Sequence, residues 1–520
     1  MRMSKQNRIG KVRRSVDKPV GFIAQTEQVH RVKCRRIALV LAASLCLSGI
    51  FANCFTGSAQ PAAQSKATTA ASRNAALVTA TAEVLKETSE LRQLPVLRQV
   101  QSSTQSRAEI ERMLIKNLDE ETTPAQLHAT EVTLKKLGLA PADFNYRELM
   151  LRLLTEQVAG YYDPKMREFH LADWIDLDGQ KPVMSHELTH ALQDQHFDLR
   201  RFAHWPKGDS DAELAAHALI EGDATLAMSF YVLRDPLRAL AFLKSMGASG
   251  MASDELDKAP RALRETLLFP YQNGLIWTRR VYGEGGWARV SKAFTELPQS
   301  TEQILHPDKY FAHEAPLKLT LPDLTPLLNR RRQKAEVRRQ RTEIRRSADI
   351  PVRLSAQREQ FWSAATRRRF SSSLNHAQTA RAAWKRIDAD VNGEFGLYLI
   401  LDQFLKSPAE SRRATAGWGG DSYAVYEGPK GEILFVSLST WDNETDAREF
   451  FDAYVKRTGL RYPEATPTGA TGSPRSPILS RIFRTSEGDV TIEMRGVRVL
   501  VLEGIADRIN LNPIVKSLWQ

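Results

Sequence analysis

Downstream of about residue 100 the hydrophobic and polar positions first follow helical spacing. Ser106-Arg107-Ala108-Glu109 has the form of a capping box, and Ile110, Met113, Leu114 and Leu118 then recur on one helical face. Thr123-Pro124 opens a second helix, with proline in the first helical position. A third is predicted over about residues 145–158, stopping at Gly160. Gly160-Tyr161-Tyr162-Asp163-Pro164 then makes a turn before Arg167 to Ala172, which predicts a β-hairpin. Further helices are predicted over 182–196 and from Ser210-Asp211-Ala212-Glu213, read as another capping box, to beyond Met228. Residues 263–310 read as mostly helical, with breaks at Pro270, Gly285-Gly286 and Pro298, and a short helix from Ser300 that His306-Pro307 ends.

The last third changes period. Ser422–Glu427 and Glu432–Trp441 predict a hairpin around Gly428-Pro429-Lys430-Gly431, followed by a helix over about 443–457 and strands near 478–485 and 490–502. The fold class is therefore α+β, with a mostly helical domain over 96–328 and a smaller α+β domain over 383–520. Between them, residues 329–382 are crowded with arginine and poor in apolar positions, and read as a flexible insertion. Contact of this insertion with anionic lipid is the competing reading. No internal repeat is visible.

Charge modifies this picture once it is located. The 520-residue chain carries a formal +12, but residues 1–36 contribute +9 and residues 330–369 contribute +10, which leaves the remainder at −7. The basic balance is peripheral and the folded body is mildly acidic, so no nucleic-acid partner is expected. Residues 1–59 read as a basic n-region with a signal peptide or anchor: Arg35-Arg36 precedes an uncharged apolar run from Ile37 to Ala52, and Gly57-Ser58-Ala59 forms a cleavage site before Gln60. That run is about 16 residues, shorter than the ~20 a spanning helix prefers. Export to the periplasm or beyond is expected, with an uncleaved anchor in residues 37–52, and hence membrane association, as the alternative. Residues 60–95, rich in Ala, Ser, Thr and Gln, read as a linker or a short pro-region. Cys34, Cys46 and Cys54 all precede the cleavage point, so a metal site in the mature chain must use His, Asp and Glu.

Such a site is visible. His186-Glu187-Leu188-Thr189-His190 lies in the predicted helix over 182–196, where positions i and i+4 share a face, so both imidazoles can address one ion. Glu187 then sits where it can take a proton from a metal-activated water without ligating the metal. One zinc ion suits this donor set. Chance produces the pattern in about one chain of this length in a hundred, so the five residues alone leave open a helix that merely contains two histidines. Glu221, in Glu221-Gly222-Asp223-Ala224 on the next helix, can supply the third ligand if the two helices run antiparallel, with Gly222 allowing close approach. His217, one turn earlier, is the rival ligand, while His196 and His204 read as capping or packing residues. Tyr271 and His306 are the candidates for an oxyanion donor, each also readable as a packed or capping residue.

His186 to His190, followed by Ala191-Leu192-Gln193-Asp194-Gln195 and later by Glu221-Gly222-Asp223-Ala224, resembles the gluzincin-type zinc metallopeptidases. More closely it resembles uncharacterised exported bacterial proteins of the zincin class, through Glu156-Gln157-Val158-Ala159-Gly160-Tyr161-Tyr162-Asp163-Pro164, Ser300-Thr301-Glu302-Gln303-Ile304-Leu305-His306-Pro307 and Gly417-Trp418-Gly419-Gly420-Asp421. The likeness covers roughly 100–325 and 385–510. It implies a zincin-like domain with a small edge-strand hairpin, an upstream strand that pairs with an extended substrate, zinc on His186, His190 and Glu221, and Glu187 as general base. Thr225 stands where thermolysin-like members place an Asp that supports a zinc histidine; Asp223 is the substitute within reach.

The expected function is zinc-dependent hydrolysis of a peptide or protein substrate. The rival is a non-catalytic envelope binding or assembly protein on the same scaffold. A second rival places function in the C-terminal domain, with Trp418, Tyr426 and Trp441 as a ligand surface, although aromatic residues in strands are more often core.

Overall fold

The computed structural model describes residues 70–520 apart from 158–159, 175–176, 206–207, 241, 243–253, 331–382, 473–477 and 507–508. The proposed signal or anchor and nearly all of the arginine-rich insertion lie outside the described residues. None of the described helices is long and apolar enough to cross a membrane.

The first half contains α1 (Ala70–Arg92), β1 (Gln101–Gln105), α2 (Arg107–Glu121), α3 (Pro124–Lys136), α4 (Tyr146–Gln157), β2 (Gly160–Asp163), β3 (Glu168–Ala172), α5 (Lys181–Phe197), α6 (Ser210–Leu233), α7 (Asp254–Lys258) and α8 (Arg261–Ala293). The three strands form one sheet in the order β1-β3-β2, with β1 parallel and β2 antiparallel to β3. β2 is therefore an edge. Strand alternation divides the sheet. Phe169 and Leu171 pack with Leu77, Val84 and Leu85 of α1 and with Met184, Leu188 and Leu192 of α5. Tyr161 and Ala172 pack on the other side with Ile110 and Leu114 of α2, Leu149 and Leu153 of α4, and Leu267 and Tyr271 of α8.

The predicted capping box of Ser106 with Glu109 forms, and the predicted helix start at Thr123-Pro124 carries one too, Thr123 with Gln126. The box predicted at Ser210 does not form. Asp209 caps α6 by accepting from the Ala212 amide, and Ser210 instead donates its hydroxyl to Asp390 at 2.5 Å. Helix α8 runs through Pro270, where Phe269, Pro270 and Tyr271 are all buried, and kinks at Gly285-Gly286, where Gly286 takes φ 62°. The expected linker over 60–95 is corrected in its described part. Residues 70–92 are helical because Leu77, Thr81, Val84, Leu85, Thr88 and Arg92 share a buried face, and its small polar threonines disguise the apolar period.

The second half begins with α9 (Thr301–Leu305), α10 (Pro307–Phe311) and α11 (Thr325–Leu328). It continues through β4 (Lys385–Asp390), α12 (Gly393–Leu405), α13 (Pro408–Thr415), β5 (Trp418–Glu427), β6 (Ile433–Trp441), α14 (Glu444–Arg461), β7 (Thr466–Thr471), β8 (Ile478–Thr485), β9 (Gly488–Arg495), β10 (Arg498–Ile505) and α15 (Leu511–Leu518). Its seven strands are antiparallel, in the order β4-β5-β6-β10-β9-β8-β7. The single strand expected over 490–502 is two strands, β9 and β10, turning at Gly496 with φ 57°. Trp418, Tyr426 and Trp441 are at most 3% exposed, which places them in the core and removes the ligand-surface reading of these three residues.

Polar contacts fasten the sheet to the helices. Lys136 of α3 pairs with Glu487, Arg457 of α14 donates to the Leu137 carbonyl at 2.8 Å, and Arg261 of α8 pairs with Asp402 of α12 at 2.5 Å.

Candidate metal centre

Helix α5 is buried along its whole length from Pro182 to Asp194, so it has no amphipathic stripe; it is the central helix of its half. Helix α6 is buried almost as completely and lies beside it. Charged and imidazole groups on two such helices are costly unless they meet partners. His186, Glu187, His190 and Glu221 are 3%, 4%, 7% and 1% exposed.

Three ligand atoms converge. The His186 Nε2 lies 3.1 Å from Glu221 Oε2, the His190 Nε2 lies 3.4 Å from the same oxygen, and the two Nε2 atoms are 3.2 Å apart. Ligands held at 2.0–2.1 Å in a tetrahedron are about 3.3 Å from each other. The triangle therefore has the edge length that a zinc ion imposes, and two nitrogens and a carboxylate are the donors zinc takes. Two imidazole Nε2 atoms at van der Waals contact or closer also need something between them, because two facing lone pairs repel. Without a metal that something is a proton: burial alone would lower the pKa of His190, but the Glu221 carboxylate overrides it and pushes His190 up to about 9. Burial likewise opposes ionisation of Glu221, yet the two imidazoles hold its carboxyl well below the usual range.

The backbone explains why Glu221 points this way. Gly222 faces α8, not α5 as expected from the sequence, since successive residues of a helix lie about 100° apart. A Cβ at Gly222 would stand 2.2 Å from the Gly274 carbonyl oxygen, and one at Gly274 would stand 2.2 Å from that of Ala218. This close crossing of α6 and α8 fixes the rotation of α6. It also delivers Tyr271, one turn before Gly274, whose ring stacks on His186 with centroids 6.0 Å apart.

Glu187 lies with both histidines in one group whose ligand atoms are within 4.8 Å of each other. Its Oε2 accepts the Tyr162 backbone N–H at 3.0 Å, so the edge strand β2 holds the carboxylate. Tyr162 also donates its hydroxyl to Asp194 at 3.0 Å, two turns further along α5. Tyr162 thus clasps α5 at both points.

The other candidates are placed elsewhere. His306 is at the end of α9, 2.9 Å from Glu394 of α12, and its pKa is raised by that hydrogen bond against the effect of burial. It is not brought to the triangle. His217 is buried, with Nδ1 lacking a hydrogen-bond partner among the described residues, and burial lowers its pKa to about 4. It feels the charges of Glu221 and His190 but is hydrogen-bonded to neither. His196 bonds the Pro95 carbonyl at 2.8 Å, and His204 closes a 3₁₀ turn over Leu199–His204.

Sequence reasoning named Asp223 as a support for a zinc histidine but missed that it acts on His190 through Gln193 and is itself held by Arg92. Its Nδ1 meets Gln193 Oε1 at 2.9 Å, Gln193 Nε2 donates to Asp223 at 2.8 Å, and Asp223 pairs with Arg92 of α1 at 2.5 Å. Gln193 stands three residues after His190, so helical spacing could have suggested the first contact. Arg92 gave no local signal.

With the geometry described, relatives add little. Residues 378–512 match a family profile described as a domain of unknown function, DUF8575. That segment spans β4 to β10, so the candidate metal centre lies outside it. No curated protein and no solved structure matches the chain.

Proposed function

We propose that the chain is an exported zinc-dependent metallopeptidase of the gluzincin type, with a zincin-like domain over its helical half. The observation that carries the reading is the 3.1–3.4 Å triangle of His186, His190 and Glu221, with Glu187 alongside. These three residues would hold the ion. When bound, zinc supplies Lewis acidity toward a carbonyl and lowers the pKa of a water. Glu187, steadied by the Tyr162 amide, takes a proton from the attacking water and passes it to the leaving amine. The edge strand β2 offers an extended peptide a strand to pair with. Of the two oxyanion-donor candidates, only Tyr271 lies beside the site, so that role falls to it. Export rests on the apolar run of residues 37–52 and its flanks.

A second reading is favoured by one observation. All four motif side chains are at most 7% exposed, which suits a closed structural metal clasping α5 to α6 in a non-catalytic protein. The deciding experiment measures zinc content and digestion of a peptide library by the full-length protein, with Glu187→Gln as control. Under the peptidase reading, the variant keeps its zinc and loses turnover by about 10²–10⁴-fold. Zinc without cleavage in the unsubstituted protein supports the clasp, and a zinc-free folded protein sinks both.

A further inference from the structure

Behind the proposed zinc ligands, the polar groups form a chain whose direction is fixed by chemistry. Gln193 is fully buried, and its amide nitrogen meets two groups that can only accept: the Ile220 carbonyl at 3.0 Å and the Asp223 carboxylate at 2.8 Å. Turning the amide over would set its oxygen against both, so that three acceptors would face one another with no donor between them. The NH₂ group therefore faces α6, and Oε1 faces His190. An amide oxygen cannot donate, so the hydrogen bond to His190 Nδ1 at 2.9 Å requires the proton on Nδ1. When the ring is neutral, the lone pair of His190 is thereby placed on Nε2, the atom at the triangle.

Asp223 is what keeps the amide from turning, and Arg92 is what keeps Asp223 in place. The two are each 0% exposed in their side chains and 2.5 Å apart, and Arg92 also donates to Ser291 at 3.1 Å and lies over the Trp287 ring at 4.5 Å. Helix α1 is further tied to α5 by Thr88 and Ser185, whose hydroxyls are 2.9 Å apart.

We propose that Gln193 is a positioning residue for the metal, locking His190 in the tautomer that presents Nε2, and that Asp223 and Arg92 lock Gln193 in turn. The proposal rests on the metallopeptidase reading of the triangle. It also makes α1 part of the site, in place of a tether or a removable pro-region. Glutamate could not replace Gln193, because its carboxylate would face Asp223 and the Ile220 carbonyl. A carboxylate next to a metal-binding histidine is the usual supporting group; here the neutral amide relays the carboxylate from one residue further away.

Two measurements test this. In zinc-loaded, ¹⁵N-histidine-labelled full-length protein, long-range proton–nitrogen correlation should show the His190 proton on Nδ1 and the metal on Nε2; metal on Nδ1 overturns the proposal without any variant. Chelator competition should show Gln193→Leu losing about 10–100-fold in zinc affinity. The isosteric Asp223→Asn, which frees the amide to turn, should lose less. If both folded variants bind zinc as tightly as the unsubstituted protein, the relay is wrong. Should Gln193→Leu fail to fold, Asp223→Asn and the tautomer decide. Failure of the unsubstituted protein to bind zinc would instead refute the reading of the triangle itself.

Discussion

Glu503 and Glu221, one in each half, are the most deeply buried glutamates among the described residues, and the two are held in opposite ways. Glu503, on β10 of the C-terminal sheet, is 0% exposed and meets Arg457 and Arg461, the second at 3.0 Å, with the Tyr454 hydroxyl donating as a third partner. Both cations are part of the chain. Glu221, on α6, is 1% exposed and meets the imidazoles of His186 and His190 in the triangle. Those rings carry no fixed charge, so they answer the carboxylate by taking up a proton or by sharing a metal ion. A buried carboxylate with resident cations is a lock, whereas one that faces neutral nitrogen donors is a receptor for a cation.

The sharpest way to break this comparison is to neutralise each glutamate. Glu503→Gln leaves Arg457 buried with no full counter-charge, and should cost about 3–5 kcal/mol of folding free energy by denaturant titration. Folded Glu503→Gln should bind zinc normally. Glu221→Gln should do the reverse. The metal-free variant should unfold close to the unsubstituted protein, since neutral imidazoles need no counter-ion, while zinc affinity falls at least 100-fold, about 2.7 kcal/mol. If Glu221→Gln is as destabilised as Glu503→Gln, or if zinc binding survives it, Glu221 is a structural partner and the contrast fails.

How far each half could be read in advance follows from the same physics. The histidine pair and Glu187 were legible because helical spacing alone puts i and i+4 on one face. Glu221 was legible once a second helix was placed after the first. The hold of Arg92 on Asp223 was not: Arg92 lies 131 residues before Asp223, in a segment whose threonines and alanines hide its buried face. The orientation of Gly222 depended on α8, which no local pattern of α6 records. In the C-terminal half, β5 and β6 were visible from apolar runs flanking a Gly-Pro-Lys-Gly turn. Strand β4 was missed because its charged residues hide the strand period: Lys385 pairs with Glu427, and the buried Asp388 and Asp390 accept from Thr133 and Ser210 on neighbouring elements. His306 was a candidate oxyanion donor, also readable as a capping residue; in the structure it answers to Glu394, the neighbour of Gly393 at the contact between the halves.

That contact holds the last and smallest effect. Asp211, in the first turn of α6, is buried against Thr301, which gives it an amide at 3.2 Å and a hydroxyl at 2.5 Å, and against Gly393, where a Cβ would fall 1.7 Å from its Oδ1. Burial raises its pKa from 3.8 to about 8, against the two hydrogen bonds from Thr301. An acid whose folded pKa lies above its unfolded value stabilises the fold while protonated. The contribution is full below pH 3.8 and is lost as pH rises to about 8. The positive end of α6 favours the charged form and reduces the loss over that window. Asp211→Asn cannot ionise. Measured by denaturant titration at pH 5 and pH 8.5, its stability should change less than that of the unsubstituted protein. Equal slopes would mean that Asp211 is already ionised at pH 5, and that the two halves meet over a charge, as Glu503 and its arginines do.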